Sequence, residues 1–235
     1  SFDHEEHTLG ALFDSASRLA GSLADVVSPG DRVLVMARNG RPALLTWWAT
    51  RILAGIVVPI NVANRSLILE HQIRDSGPVV LVVEDEFIDV LSAAVAEVGL
   101  EVRLVVLAGA GDWAGAERAV RFEDLVDSGE AVSPVVDGVD RPSHLIYTAG
   151  TTGPSKACMV GDRYIHNMAG QMNENLIKQP GETLWTAMPL FHLAAVAHVT
   201  GALLIGGSVS IARKFSVSRF WEDVWRSKAS MVALM

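Results

Sequence analysis

Residues 145–160, "LIYTAGTTGPSKACMV", crowd the hydroxyls of Thr148, Thr151, Thr152 and Ser155 together with Gly150, Gly153 and Lys156, directly behind a short apolar run. Glycine lets a backbone come close to a ligand, and a turn rich in Gly and Thr exposes N–H groups and short donors together. Such a donor set, with an ammonium group beside it, suits the oxygens of a phosphate. The plain alternative is a polar turn between a strand and a helix. A Walker A loop is excluded, because Gly150 and Gly153 are three apart and Lys156 follows three residues after the second glycine. The dinucleotide fingerprint G-x-G-x-x-G after the first strand is absent as well.

Other chemistry-bearing residues are weaker candidates. His192 precedes an apolar helical run and reads either as a core histidine or as the lining of a pocket. His198 reads as a core histidine, Trp47 and Trp48 as packing aromatics, and Tyr147 and Tyr164 as structural. His4 and His7 read as solvated, since their spacing lacks further ligands for zinc. The acidic run "VVEDEF" reads as a solvated junction whose carboxylates have no visible partner. Cys158, the one cysteine, excludes an internal disulfide and is expected to be a small buried hydrophobe in a reducing, cytoplasmic setting.

These residues need a scaffold, and the chain supplies a regular one. Apolar β-branched runs at Arg32–Met36, Ile56–Ile60, Val79–Val83 and Val102–Leu107 recur at intervals of roughly 23 residues, the length of a strand plus a crossover helix. Helices fall between them. Pro42 opens one and Gly55 closes it, Ser66 is placed to cap "LILEHQIRDS" before Gly77–Pro78, and Phe87–Val98 ends at Gly99. After a variable stretch the pattern restarts with strand Ser143–Thr148, helix Asp162–Leu176, strand Leu184–Met188, helix Leu193–Leu204, strand Ser208–Ala212 and helix Val217–Ser227. The fold class is α/β, mainly parallel sheets flanked by helices. The expected division is a first subdomain at 1–112, a connection at 113–142 and a second subdomain, carrying the loop, at 143–235.

Composition removes several function classes. A net charge of −8 argues against a nucleic-acid groove. The longest apolar run, Leu193–Gly207, is shorter than the roughly 20 residues of a bilayer span. The chain begins without Met and stops within the apolar "ASMVALM", which reads as an unfinished strand and predicts a fragment.

"YTAGTTGPSK" closely resembles the phosphate-binding signature Y-T-S-G-T-T-G-x-P-K-G of the adenylate-forming superfamily. "PGDRVLVMARNGRPALLTWWATRILAGIVVPIN" and "AMPLFHLAAVAHVTGALLIGGSVSI" resemble its early region and its P-L-F-H-x-x-G segment, and "RSLILEHQIRDSGPVVLVVEDEF" resembles acyl-CoA synthetases in particular. The resemblance covers nearly the whole chain. It implies activation of a small-molecule carboxylic acid by ATP with Mg2+, then thioester formation with coenzyme A. It also implies that Thr148, Ala149, Gly150, Thr151, Thr152, Gly153, Ser155 and Lys156 hold phosphates, that Thr151 lies near the metal, and that His192 lines the acid pocket. Ala149 stands where the family has Ser, Ala157 where it has Gly, and Ser155 where it has Pro, while "MVGDRYIHN" lacks the usual S/T-H-x-N helix start. An adenylation domain loading a carrier protein and a non-catalytic nucleotide-binding module remain open as alternatives. The family's adenine, ribose and C-terminal motifs are not seen before Met235, so these residues alone are expected not to complete the reaction.

Overall fold

The computed structural model describes residues 1–2, 5–114, 118–136, 138–148, 154–176 and 179–234. In chain order the elements are α1 (Leu9–Leu23), β1 (Arg32–Met36), α2 (Arg41–Ile52), β2 (Ile56–Pro59), α3 (Ser66–Ser76), β3 (Val80–Glu84), α4 (Ile88–Val98), β4 (Leu104–Ala108), β5 (Ala119–Arg121) and α5 (Phe122–Ser128). There follow β6 (Pro142–Thr148), β7 (Lys156–Gly161), α6 (Asp162–Leu176), β8 (Thr183–Thr186), α7 (Leu193–Leu204), β9 (Ser208–Ile211), α8 (Phe220–Arg226) and β10 (Met231–Ala233).

Among the described residues the strands form two sheets, one ordered β5-β4-β3-β1-β2-β6-β7 and the other β10-β8-β9. Neighbours are parallel throughout except for β6 and β7, which pair antiparallel. This is the expected α/β class. β6 and β7, grouped by the sequence with the second subdomain, hydrogen-bond into the first sheet through Val57↔His144.

Period-two alternation explains why the central strands are apolar at nearly every position. Val33 packs with α1, α2 and α5 residues such as Leu19, Leu45 and Phe122, while Leu34 and Met36 face Leu69, Ile73 and Leu91 on the opposite side. Val80/Val82 and Leu81/Val83 divide between the same two faces. Gly77 and Gly99 adopt the left-handed conformation after α3 and α4, where a residue without Cβ ends a helix at least cost.

Four local expectations change. Ser66 is the first residue of α3, not its cap: the cap position is Arg65, with no side-chain bond, and the entry is set by a turn in which the Ala63 amide donates to Asn61 Oδ1 at 2.9 Å. Cys158 is exposed, because it lies on β7 at the end of the sheet. His7 is largely covered, with its side chain 18% exposed and packed near the Phe2 ring, whereas Tyr164 is exposed. His4 lies outside the described residues.

The "VVEDEF" carboxylates do have partners. Arg38 Nη2 donates to Glu86 Oε2 at 3.0 Å, the Arg38 amide donates to Glu84 Oε2 at 3.0 Å, and Arg213 Nη1 donates to Glu84 Oε1 at 2.5 Å. Asp85 Oδ2 accepts from the Ala110 amide at 2.8 Å. Glu84 and Arg213 are 129 residues apart, so local sequence could not reveal the pair.

Candidate active site

β6 and β7 form a hairpin whose last paired residues are Thr148 and Lys156. The Gly/Thr loop joins two antiparallel strands and not a strand and a helix: "KACMVG" is itself a strand. Residues 149–153, which include Ala149, Gly150, Thr151, Thr152 and Gly153, lie outside the described residues. Thr148 and Lys156 are exposed and Ser155 is half-buried at the loop's base.

That base is held by α3. His71 Nε2 lies 2.7 Å from the Ser155 carbonyl oxygen, so the ring donates there in its Nε2-protonated form. Gln72 is buried, accepts from Asn64 Nδ2 at 2.8 Å and donates to Ser155 Oγ at 3.4 Å. On the other strand Tyr147 Oη donates to Asp75 Oδ2 at 2.7 Å, with the Gln72 carbonyl 3.2 Å away. Burial, then the hydrogen bond to Asp75, raises the Tyr147 pKa above its ordinary value, so the phenol stays protonated and remains a donor. Sequence reading treated Tyr147 as structural and did not find His71, Gln72 or Asp75. Its one available signal was a set of polar residues at helical spacing, 71, 72 and 75, in a helix required to bury a face.

The opposite wall comes from the turn between β8 and α7. His192 is the cap residue of α7; its amide donates to the Pro189 carbonyl at 2.9 Å and its carbonyl accepts from the Ala195 amide at 3.0 Å. Its ring packs 4.7 Å from that of Phe191, and partial burial lowers its pKa. The turn hangs from Asn39, just past β1. Asn39 Nδ2 donates to the carbonyls of Met188 and Ala212, both at 3.0 Å, and its Oδ1 accepts from the Leu190 amide at 2.8 Å. A buried amide satisfied on both ends locks the two sheets together beside His192. Asn39 was also missed by sequence reading; its partners lie at least 149 residues away.

Between the walls is a cleft of about 510 Å3, lined by Pro59, His71, Thr148, Ser155, Phe191 and His192 among others. It lies at the carboxyl ends of β2 and β6, the end at which open parallel sheets take ligands. Its volume is in the range of small-molecule sites. Phe191 and His192 also line a second cleft, of about 350 Å3, with Arg38, Arg213 and Lys214. Behind this wall His144 is fully buried, its ring edge-on to Trp47 at 5.7 Å and its Nδ1 3.0 Å from Ser143 Oγ. Desolvation depresses its pKa to about 4, so it is neutral near pH 7.

A family model described as AMP-binding enzyme matches residues 1–235. The chain belongs to the AMP-binding enzyme family. Among its relatives, a medium/long-chain fatty acid–CoA ligase of Mycobacterium tuberculosis is 29% identical over 219 residues, covering 92% of this chain and 35% of that protein. A sulfoacetate–CoA ligase of Cupriavidus necator is 27% identical, covering 92% and 42% respectively. The chain thus spans well under half the length of these AMP-binding relatives. In structure it resembles o-succinylbenzoate CoA synthetase of Bacillus subtilis, solved with its acyl-adenylate intermediate, at a TM-score of 0.82 and 21% identity over 99% of this chain and 57% of the other. This likeness is one of fold.

Among the described residues no three His, Cys, Asp or Glu are grouped to hold a metal ion, and no helix is long and apolar enough to cross a membrane. The described walls of the cleft offer hydroxyl, carbonyl and imidazole groups, a poor donor set for a magnesium ion held by protein alone.

Proposed function

We propose that this chain supplies the phosphate grip and one wall of the acid pocket in an AMP-forming acyl-CoA ligase. The observation that carries the reading is the joint lining of one cleft by Thr148 and Ser155, from the hairpin, and His192, from the β8–α7 turn. In this reading Thr148, Ala149, Gly150, Thr151, Thr152, Gly153, Ser155 and Lys156 bind the β- and γ-phosphates of ATP, and His192 borders the carboxylic acid. Magnesium, when bound, would neutralise charge on the phosphates, and Thr151 is the residue that would help to hold it.

An oxygen of the ionised carboxylate attacks the α-phosphorus, the bond to the bridging oxygen breaks, and pyrophosphate leaves. A carboxylate is already a nucleophile, so this step needs position and neutralised phosphate charge rather than a general base. The thiolate of coenzyme A then attacks the acyl carbon and AMP departs. Neutral His192 suits a site bordering an apolar acyl group, since its lowered pKa keeps a charge out of the cleft.

The test is carboxylate-dependent ATP–pyrophosphate exchange by the full-length protein across short, medium, long and aromatic acids. Lys156→Ala should raise the KM for ATP by tenfold or more, as one charge-assisted contact contributes roughly 1.5–3 kcal/mol. His192→Ala should change the ranking of acids while leaving that KM nearly intact. Absence of exchange with every acid tested would overturn the enzymatic reading in favour of a non-catalytic nucleotide-binding module. Unaltered ATP kinetics in Lys156→Ala would remove the loop from the mechanism.

A further inference from the structure

The segment 213–228, "RKFSVSRFWEDVWRSK", differs from the rest of the molecule in charge and in what it exposes. It holds five cations, Arg213, Lys214, Arg219, Arg226 and Lys228, against Glu222 and Asp223, which leaves fourteen cations and twenty-five carboxylates elsewhere. Arg213 is paired with Glu84 and Glu86 and Arg219 with Asp223, so the charge of the rim is carried by Lys214, Arg226 and Lys228. Within it Trp221 is 71% exposed, Trp225 84%, Val217 82% and Phe215 48%.

The local structure explains the exposure. α8 buries Asp223 and Val224, and its Phe220 ring packs edge-on at 5.3 Å against the buried Trp185. Trp221 and Trp225, one turn apart, therefore share the outward face. Phe220 links this face to the turn before it, with ring centroids 4.8 Å from Trp221 and 5.8 Å from Phe215. The result is one aromatic surface rimmed by the exposed Lys214, Arg226 and Lys228.

We propose that this face docks on an anionic lipid bilayer surface. Tryptophan has an apolar body with a polar N–H and favours the bilayer interface, while lysine and arginine around it meet anionic headgroups. Charge complementarity selects this occupant. A second copy placed symmetrically would set the same cations against themselves. The acidic remainder of the chain is repelled by an anionic surface, which leaves this face to approach it. Arg213, Lys214 and Phe215 also line the 350 Å3 cleft, so docking would bring that mouth to the bilayer. The inference rests on α8 and its rim, and stands whether or not the proposed reaction is correct.

The test uses the full-length protein with vesicles of phosphatidylcholine alone and of phosphatidylcholine with phosphatidylglycerol in equal parts. Binding is read by co-sedimentation and by the tryptophan emission shift. Binding should require phosphatidylglycerol, weaken with salt, and fall about tenfold for each of Trp221→Ser and Trp225→Ser. Arg226→Gln and Lys228→Gln should each cost about fivefold. Circular dichroism confirms that the variants fold. No binding to the anionic vesicles, or binding that survives both tryptophan changes together, overturns the proposal. So does a dimer dissolved by the tryptophan changes in a protein that ignores vesicles, or tryptophans shielded from a soluble quencher by another part of the full-length protein.

Discussion

The β6–β7 hairpin and the turn carrying His192 face each other across one cleft, yet they are secured by different means. The hairpin is steadied mainly by half-covered contacts to α3, with Tyr147 of β6 and His71 of α3 partly buried and Asp75 exposed, while the buried Gln72 reaches Ser155 Oγ only at 3.4 Å. The His192 turn hangs from Asn39, 6% exposed and bonded through both ends of its amide to Met188, Leu190 and Ala212. Polar contacts open to water contribute little each and can exchange; a buried, satisfied amide leaves three orphaned backbone groups if it is removed. Under the proposed function this contrast has a use: a wall gripping a charged nucleotide that must enter and leave can yield, whereas a wall shaping an acid pocket is better held fixed.

The largest break in this contrast should come from Asn39→Ala. Two carbonyls and one amide lose their partner inside the molecule, at a cost of about 4 kcal/mol. Denaturant unfolding should show a much lower midpoint, and a loss under about 1 kcal/mol would mean water replaces the amide.

A second effect tests how dry the region behind the His192 wall is. Unfolded His144 takes up a proton near its ordinary 6.5, whereas in the fold it does so only near 4. Below 6.5 the unfolded chain binds more protons, so stability should fall as pH drops from about 6.5 to about 4 and then level off. That full shift corresponds to about 3 kcal/mol. Urea midpoints at pH 7.5 and 4.5 should differ less in His144→Gln than in the wild type; equal differences would assign the pH dependence elsewhere.

The hairpin wall should respond more gently. Tyr147→Phe removes one partly exposed hydrogen bond to Asp75 and should cost about 1 kcal/mol of stability, with a modest rise in KM for ATP. If stability falls as far as in Asn39→Ala, the two walls are anchored alike and the contrast fails. Smallest of all, Ala149→Ser restores a hydroxyl among several donors. It should leave activity equal or raise it by less than about tenfold, and a tenfold loss would show alanine to be tuned to this branch of the family.

Much of the architecture was legible because it is written in local patterns. α7 was read as Leu193–Leu204, its observed span, since an uninterrupted apolar run is bounded by His192 and by Gly206–Gly207. The stops at Gly77 and Gly99 were equally plain. β7 was missed: a short, mostly exposed strand at the sheet's end lacks the apolar alternation that marks a half-buried one. Of the candidate site, Thr148, Ser155 and Lys156 stood out by type and spacing, and His192 by the resemblance of its segment to the family's. Asn39, His71 and Asp75 did not, because each matters through a partner brought to it only by folding.

Asn39 has one more consequence, and it concerns time. Its three bonds span 149, 151 and 173 residues, far longer separations than those joining neighbouring strands of the first sheet's centre. Contacts that close such long loops cost chain entropy before they return any energy, so they form late in folding. Asn39 should therefore have a φ-value near zero: in a chevron plot, Asn39→Ala should leave the refolding rate unchanged and instead raise the unfolding rate. The amide beside the His192 wall would act as a latch on the lifetime of the native state, closing only after the first sheet is built.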